Sequence, residues 1–160
     1  MKTTITRLLA ATALALALSP GFAADTSPSA TAAAPDKLSA ARAQIADKKW
    51  AAAIDELKSV NDTSSADWNN LMGYSLRKAK APDYAGAEKF YNEALRIDPK
   101  HRGALEYSGE LYLMLGDLPK AEQRLAVLDK VCSFGCEEYS DLKKAVARFK
   151  AAGNKYVAAQ

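Results

Sequence analysis

A single histidine, His101, and two cysteines, Cys132 and Cys136, are the only residues of those types in the 160-residue sequence. That scarcity leaves no material for a multi-histidine metal centre or a histidine proton relay. There is no Gly-x-Ser-x-Gly turn to raise a nucleophilic serine, and no glycine-rich phosphate loop. Carboxylates are plentiful but are not arranged for acid–base work. Glu137 and Glu138 are adjacent, so on a helix they point about 100° apart. Glu106 and Glu110 share a helix face at i, i+4, without an evident proton-transfer partner. The chain is therefore expected not to be an enzyme and to need no cofactor.

Long apolar runs are also lacking. The longest, Leu8 to Leu18, is about 11 residues, and a helix that spans a bilayer needs roughly 20. Lys2 and Arg7 precede this run, Pro20 and Gly21 break it, and Gly21-Phe22-Ala23 offers a small-x-small cleavage pattern. That is the anatomy of a secretory signal peptide. Residues 1–23 are expected to be removed near Ala23, leaving a periplasmic or secreted chain with no stable membrane insertion. Charge of one sign is lacking as well. Without Lys2 and Arg7, 20 basic residues face 19 acidic ones, which gives no electrostatic reason to prefer nucleic acid or an anionic membrane. Residues 24–36 have no apolar periodicity and contain Pro28 and Pro35, as expected of a flexible linker.

What the sequence does have is a repeat. Trp50, Tyr84 and Leu118 are 34 apart, as are Ala53, Ala87 and Ala121. Leu57, Tyr91 and Leu125 keep the same spacing, and so do Val60, Ala94 and Leu128. Within a repeat these positions fall at i, i+3, i+7 and i+10, on one face of a helix. The alanine column suits a close helix crossing. A period of 34 is the mark of a helix–turn–helix solenoid. An earlier helix precedes each of these, near residues 67–79 and 103–115 in the later repeats. Gly116-Asp117 and Pro82-Asp83 mark turns between helices, and Pro99 a stop. Residues 137–152 predict a cap helix with Tyr139, Leu142, Val146 and Phe149 on one side, because a repeat stack must cover its last apolar face.

Gly109, Gly116 and Ala121, with Gly73, Tyr84, Ala87, Tyr91, Ala94 and Pro99, resemble the tetratricopeptide (TPR) pattern. The resemblance covers about Asp36 to Gly135. Repeat one lacks both glycines and has Ser65 where proline is usual, and repeat three has Ser133 there. In repeat two, strict spacing puts Ser75 at the small position, whereas Gly73 fits if two extra residues sit in the Lys80-Ala81-Pro82 turn. The latter is expected. The fold class is thus all-α, a TPR-type solenoid over residues 37–153. Its repeats lie near 34–67, 68–101 and 102–135, followed by the cap helix.

The resemblance implies a scaffold that binds another protein or peptide on a concave face built from the first helix of each repeat. Carrying the family's groove positions onto this sequence gives Leu38, Arg42 and Ile45, then Asn70, Tyr74 and Arg77, then Glu106, Tyr107, Glu110 and Met114. Tyrosine, arginine and methionine are enriched in interface cores. Asn70 could bond a peptide backbone, and Glu106 with Glu110 could receive a basic side chain. Gly103 and Tyr107 stand where the basic residues of a carboxylate clamp would be, so recognition of a chaperone tail is not expected. Weak self-association through the open end of the stack is a further expectation.

Cys132 and Cys136 flank Ser-Phe-Gly. In an oxidising compartment a local disulfide is expected, and it requires the helix to break, for which Gly135 is well placed. The alternative function is a thiol or Cu(I) carrier. A redox pair usually has two intervening residues rather than three. Two thiolates with His101 as a third ligand would suit Cu(I).

Overall fold

The computed structural model of the protein describes residues 36–157. The expected signal peptide and nearly all of the expected linker lie outside the described residues. Those residues form seven α-helices and no strand: α1 (Ser39–Ala46), α2 (Trp50–Val60), α3 (Ala66–Lys78), α4 (Tyr84–Ile97), α5 (Arg102–Met114), α6 (Leu118–Val131) and α7 (Glu137–Ala151). The fold is an all-α helical repeat solenoid of three helix pairs and a final helix.

The 34-residue period is visible in the helix starts, since Trp50, Tyr84 and Leu118 each open the second helix of a pair. Ala53, Ala87 and Ala121 have no exposed surface; each marks a place where a larger side chain would push two helices apart. Leu57, Tyr91, Ala94 and Leu128 are buried on the same face. The turn between α3 and α4, residues 79–83, is two residues longer than that between α5 and α6, residues 115–117. Gly73 therefore takes the close-contact position of repeat two. A Cβ there would stand 2.9 Å from the Tyr91 ring and 3.1 Å from the Ala87 carbonyl. Ser75 is buried beside it and donates to the Leu71 carbonyl at 2.8 Å.

Caps explain where the helices begin. The side chains of Ser65, Asp83 and Asp117 accept from the N–H groups of Trp68, Gly86 and Lys120, satisfying amides that an isolated helix start leaves unpaired. The ends of α1, α5 and α7 share one device. Beyond α5, Gly116 donates to the Leu113 carbonyl and Asp117 to Tyr112, with Gly116 at φ +79°. This is a Schellman turn, which needs a left-handed residue. After α1 the same two bonds run from Lys48 to Ile45 and from Lys49 to Gln44. There, however, the left-handed residue is Lys48, at φ +58°. A side chain in that conformation is strained. Lys48→Gly should raise stability by about 0.5–1 kcal/mol, read as a higher urea midpoint at unchanged slope. A lower midpoint would mean that the lysine does something there that its strain hides.

The core runs along the stack. Leu38, Leu57, Trp68, Leu71 and Met72 fill the first pairs, with the Trp68 indole donating to the Leu57 carbonyl at 2.7 Å. Leu105, Leu113, Leu128, Leu142, Val146 and Phe149 fill the last. Helix α7 packs against α5 and α6 and covers the end of the stack. Leu38, expected in the groove, is instead a core residue with 6% exposure. It lies just before α1, and its side chain joins the cluster of Leu57 and Trp68.

Candidate functional site

Helices α3, α5 and α7 each turn one face into a common cleft, a cavity of about 380 Å³. Tyr74 and Arg77 come from α3, Glu106, Tyr107 and Glu110 from α5, and Glu137, Glu138 and Asp141 from α7. Five of the ten residues expected in the groove therefore meet in one place. The rings of Tyr74 and Tyr107 lie 4.6 Å apart, and Trp50 meets Tyr74 edge-on at 5.8 Å.

Arg77 holds this wall together. Its side chain is only 3% exposed and pairs with Glu110 at 2.9 Å. It also points one N–H at the Met114 sulfur, 3.8 Å away. Its guanidinium sits 5.4 and 5.7 Å from the Tyr74 and Tyr107 ring centres, within cation–π range. In the fold its charge is already engaged by Glu110 and by the two rings. Burial pushes the hydroxyls of Tyr74 and Tyr107 up, so both stay neutral donors.

The cleft is acidic. Among the described residues lining it, Glu106, Glu110, Glu137, Glu138 and Asp141 face only Arg77 and Lys78. Burial, and then the charges of Glu110, Asp141 and Glu138, push the Glu106 carboxyl up to about 8. An opposite charge brought beside it would return it toward its ordinary range.

Arg42 and Asn70 lie in a neighbouring cleft of about 370 Å³ that also includes Asp67, His101 and Glu138. Arg42 is tied to Asp67 at 3.0 Å and to Asp36 at 3.5 Å. Asn70 is 7% exposed, and its carbonyl oxygen has no partner among the described residues. A Cβ on Gly103 would stand 3.0 Å from the Asn70 amide nitrogen, so the bare glycine lets Asn70 lie close to α5. His101 is a helix cap here. Its Nδ1 accepts from the Ala104 N–H at 3.0 Å, and its Nε2 meets Asp67 at 2.9 Å. Because Nδ1 accepts, Nε2 carries the proton and donates. Burial opposes ionisation of Asp67, but the His101 hydrogen bond and the Arg42 charge outweigh it and hold the carboxyl below its usual value.

Cys132 and Cys136 form a disulfide. Helix α6 ends at Val131 and α7 starts at Glu137, so the chain leaves the helix across the bridge, with Gly135 at φ +84°. Cys136 caps α7, its sulfur accepting from Tyr139 N–H at 3.4 Å. Each sulfur is thus occupied by the other, and both nitrogens of His101 are engaged elsewhere.

The three acids of α7 escaped the groove assignment because that assignment stops at the third repeat, before the cap helix. A signal was available: adding the 34-residue period to Gly103 and Tyr107 lands on Glu137 and Asp141.

Residues 79–131 match the family model of the tetratricopeptide repeat. Among solved structures, the chain is similar to the type III secretion chaperone SycD of Yersinia enterocolitica, solved in complex with a peptide of the translocator YopD. The TM-score is 0.60 at 19% identity, covering 72% of this chain and 88% of that one. No curated protein sequence matches the chain. At that identity the likeness to SycD is one of fold.

Proposed function

We propose that this chain, a tetratricopeptide-repeat protein, is a non-catalytic interaction scaffold of the bacterial cell envelope. It holds an extended partner segment along α3, α5 and α7 and seats a lysine or arginine of that segment in the acidic cleft. The observation that carries this is the cleft itself, in which five acidic side chains and two tyrosines surround one buried arginine that is already paired. The fold it shares with a peptide-bound chaperone supports the general mode. The unpaired Asn70 oxygen supports a bond to the segment's backbone, once that side chain turns outward. A periplasmic or secreted setting is supported by the composition of residues 1–23 and by the Cys132–Cys136 bond, which suits an oxidising compartment.

The test is fluorescence anisotropy with labelled, unstructured peptides that differ only in a central lysine, alanine or glutamate. The lysine peptide should bind about tenfold or more tighter than the alanine one, as a charge-assisted hydrogen bond implies. Asp141→Asn should erase most of that difference. Equal affinity for the lysine and glutamate peptides would remove the proposal.

The pH dependence has a definite sign. Glu106 must lose its proton to serve a cation, so affinity should rise between pH 6 and about 8 and then level off. Without ligand the trend in stability is opposite. An acid whose folded value is raised from 4.5 to about 8 holds its proton more tightly when folded. Its contribution is full below the unfolded value and is lost as pH rises toward 8. Glu106→Gln should flatten both profiles.

A further inference from the structure

The turn between α6 and α7 holds a phenylalanine that nothing among the described residues covers. Phe134 is fully exposed, at 104%. A single exposed apolar residue is ordinary, but this one sits inside the Cys132–Cys136 bridge. The short cycle is closed again by a backbone bond from Gly135 to the Cys132 carbonyl at 2.7 Å. A free loop would fold such a ring back onto the surface, and ordering it for a partner would cost entropy. Here the covalent bridge has already restricted the loop, which is the condition for an efficient anchor.

A receptor of matching chemistry exists on the same chain, at the other end of the stack. The start of α2 and the turn after α3 border an open hollow of about 610 Å³ between Trp50, Ala51, Ala52, Ala79 and Ala81, with Lys49 and Lys80 at its edge. Alanine walls leave room for an aromatic ring. One charge at the edge of each surface complements the other. Lys80 is exposed beside the hollow and Glu137 is exposed beside the Phe134 loop, and neither makes an ion pair among the described residues. Helices α6 and α7 touch neither α1 nor α2, so the loop cannot reach its own hollow.

We propose that the Phe134 loop of one copy docks into the alanine-walled hollow of a second copy, with Glu137 facing Lys80. The contact is head to tail. Each copy then keeps one unused loop or hollow, and assembly continues past the dimer unless the rotation closes a ring.

Sedimentation velocity of the purified protein over a wide range of concentration tests this. The weight-average mass should climb beyond that of a dimer. Phe134→Ser should weaken association at least about tenfold, as loss of a central aromatic anchor does, with the circular dichroism of the helices unchanged. Lys80→Glu should weaken it as well, and Lys80→Glu with Glu137→Lys should restore it. A benzoylphenylalanine at position 134 should crosslink to residues 49–52 or 79–81 of another copy. A monomer at every concentration overturns the proposal, as does an assembly that Phe134→Ser leaves intact. A charge swap that fails to restore association, or crosslinks confined to other surfaces, overturns the assigned pairing of the two ends.

Discussion

Leu142→Ala should lower the free energy of unfolding by about 2–5 kcal/mol, the range for emptying a well-packed leucine site. Leu142 has no exposed surface, and its side chain lies over Gly109. A Cβ at 109 would stand 2.5 Å from one Leu142 methyl and 2.8 Å from the other. Gly109→Ala alone should therefore also destabilise. Overpacking of about 1–3 kcal/mol outweighs the gain of about 1 kcal/mol from replacing a helical glycine, because a fully buried leucine has nowhere to retreat. In the Leu142→Ala background the new methyl enters vacated space. The double mutant should be more stable than the sum of the singles by about 1–2 kcal/mol. Urea unfolding followed by circular dichroism closes this cycle, and strict additivity would show that Gly109 is not what seats Leu142. The damage should also be local. Among the described helices α7 packs only against α5 and α6, so its amides should exchange with solvent before those of α3 and α4. Since α7 supplies Glu137, Glu138 and Asp141 to the cleft, Leu142→Ala should weaken binding of a basic peptide without altering any side chain that lines it.

The elements that could be read from the chain are those whose cause is local or periodic. The 34-residue columns locate the starts of α2, α4 and α6 and the buried alanines, because each repeat meets the same neighbour in the same way. Asp83, Asp117, Gly116 and Pro99 mark helix ends, because capping and left-handed turns depend on residues within a few positions. Gly73 is assigned correctly once the α3–α4 turn is allowed its two extra residues. The groove was only partly legible, since its decisive facts are pairings between repeats. Arg77 shares a face with Tyr74 at i, i+3, which the sequence states. That Glu110, 33 positions on, comes to neutralise it depends on how α3 and α5 pack. His101 suggests a metal ligand by residue type alone, until α3 brings Asp67 against its Nε2. Leu38 keeps helical spacing with Arg42, yet the chain entering α1 directs it to the core. In each case the residue type was informative, but its partner lay about one repeat away.

Arg77→Met should be the most damaging change on the binding face, costing about 3–5 kcal/mol as the loss of one partner from a buried pair. The figure should lie toward the low end, because Glu110 keeps 25% of its side chain in contact with solvent. Without the guanidinium, Glu110 remains in a cleft with four other carboxylates and Lys78 as its one cation. The two tyrosine rings also lose the charge that lies between 5 and 6 Å from each. Arg77→Lys should recover little, since a single ammonium cannot reproduce a fork that meets Glu110 and Met114 together. Arg77→Met with Glu110→Leu separates charge from shape. Replacing both members of a buried pair by apolar groups is often neutral or better, so the double mutant should regain most of the stability in thermal and urea unfolding. It should still bind the lysine peptide more weakly, because one of the acids facing the cation is gone. If the double mutant stays as unstable as Arg77→Met, the pair is not the cause, and the arginine's packing against Tyr74 and Tyr107 is what holds the wall. If stability returns together with full peptide affinity, Glu110 belongs to the scaffold rather than to the binding surface, and Glu106 and Asp141 carry the recognition of charge.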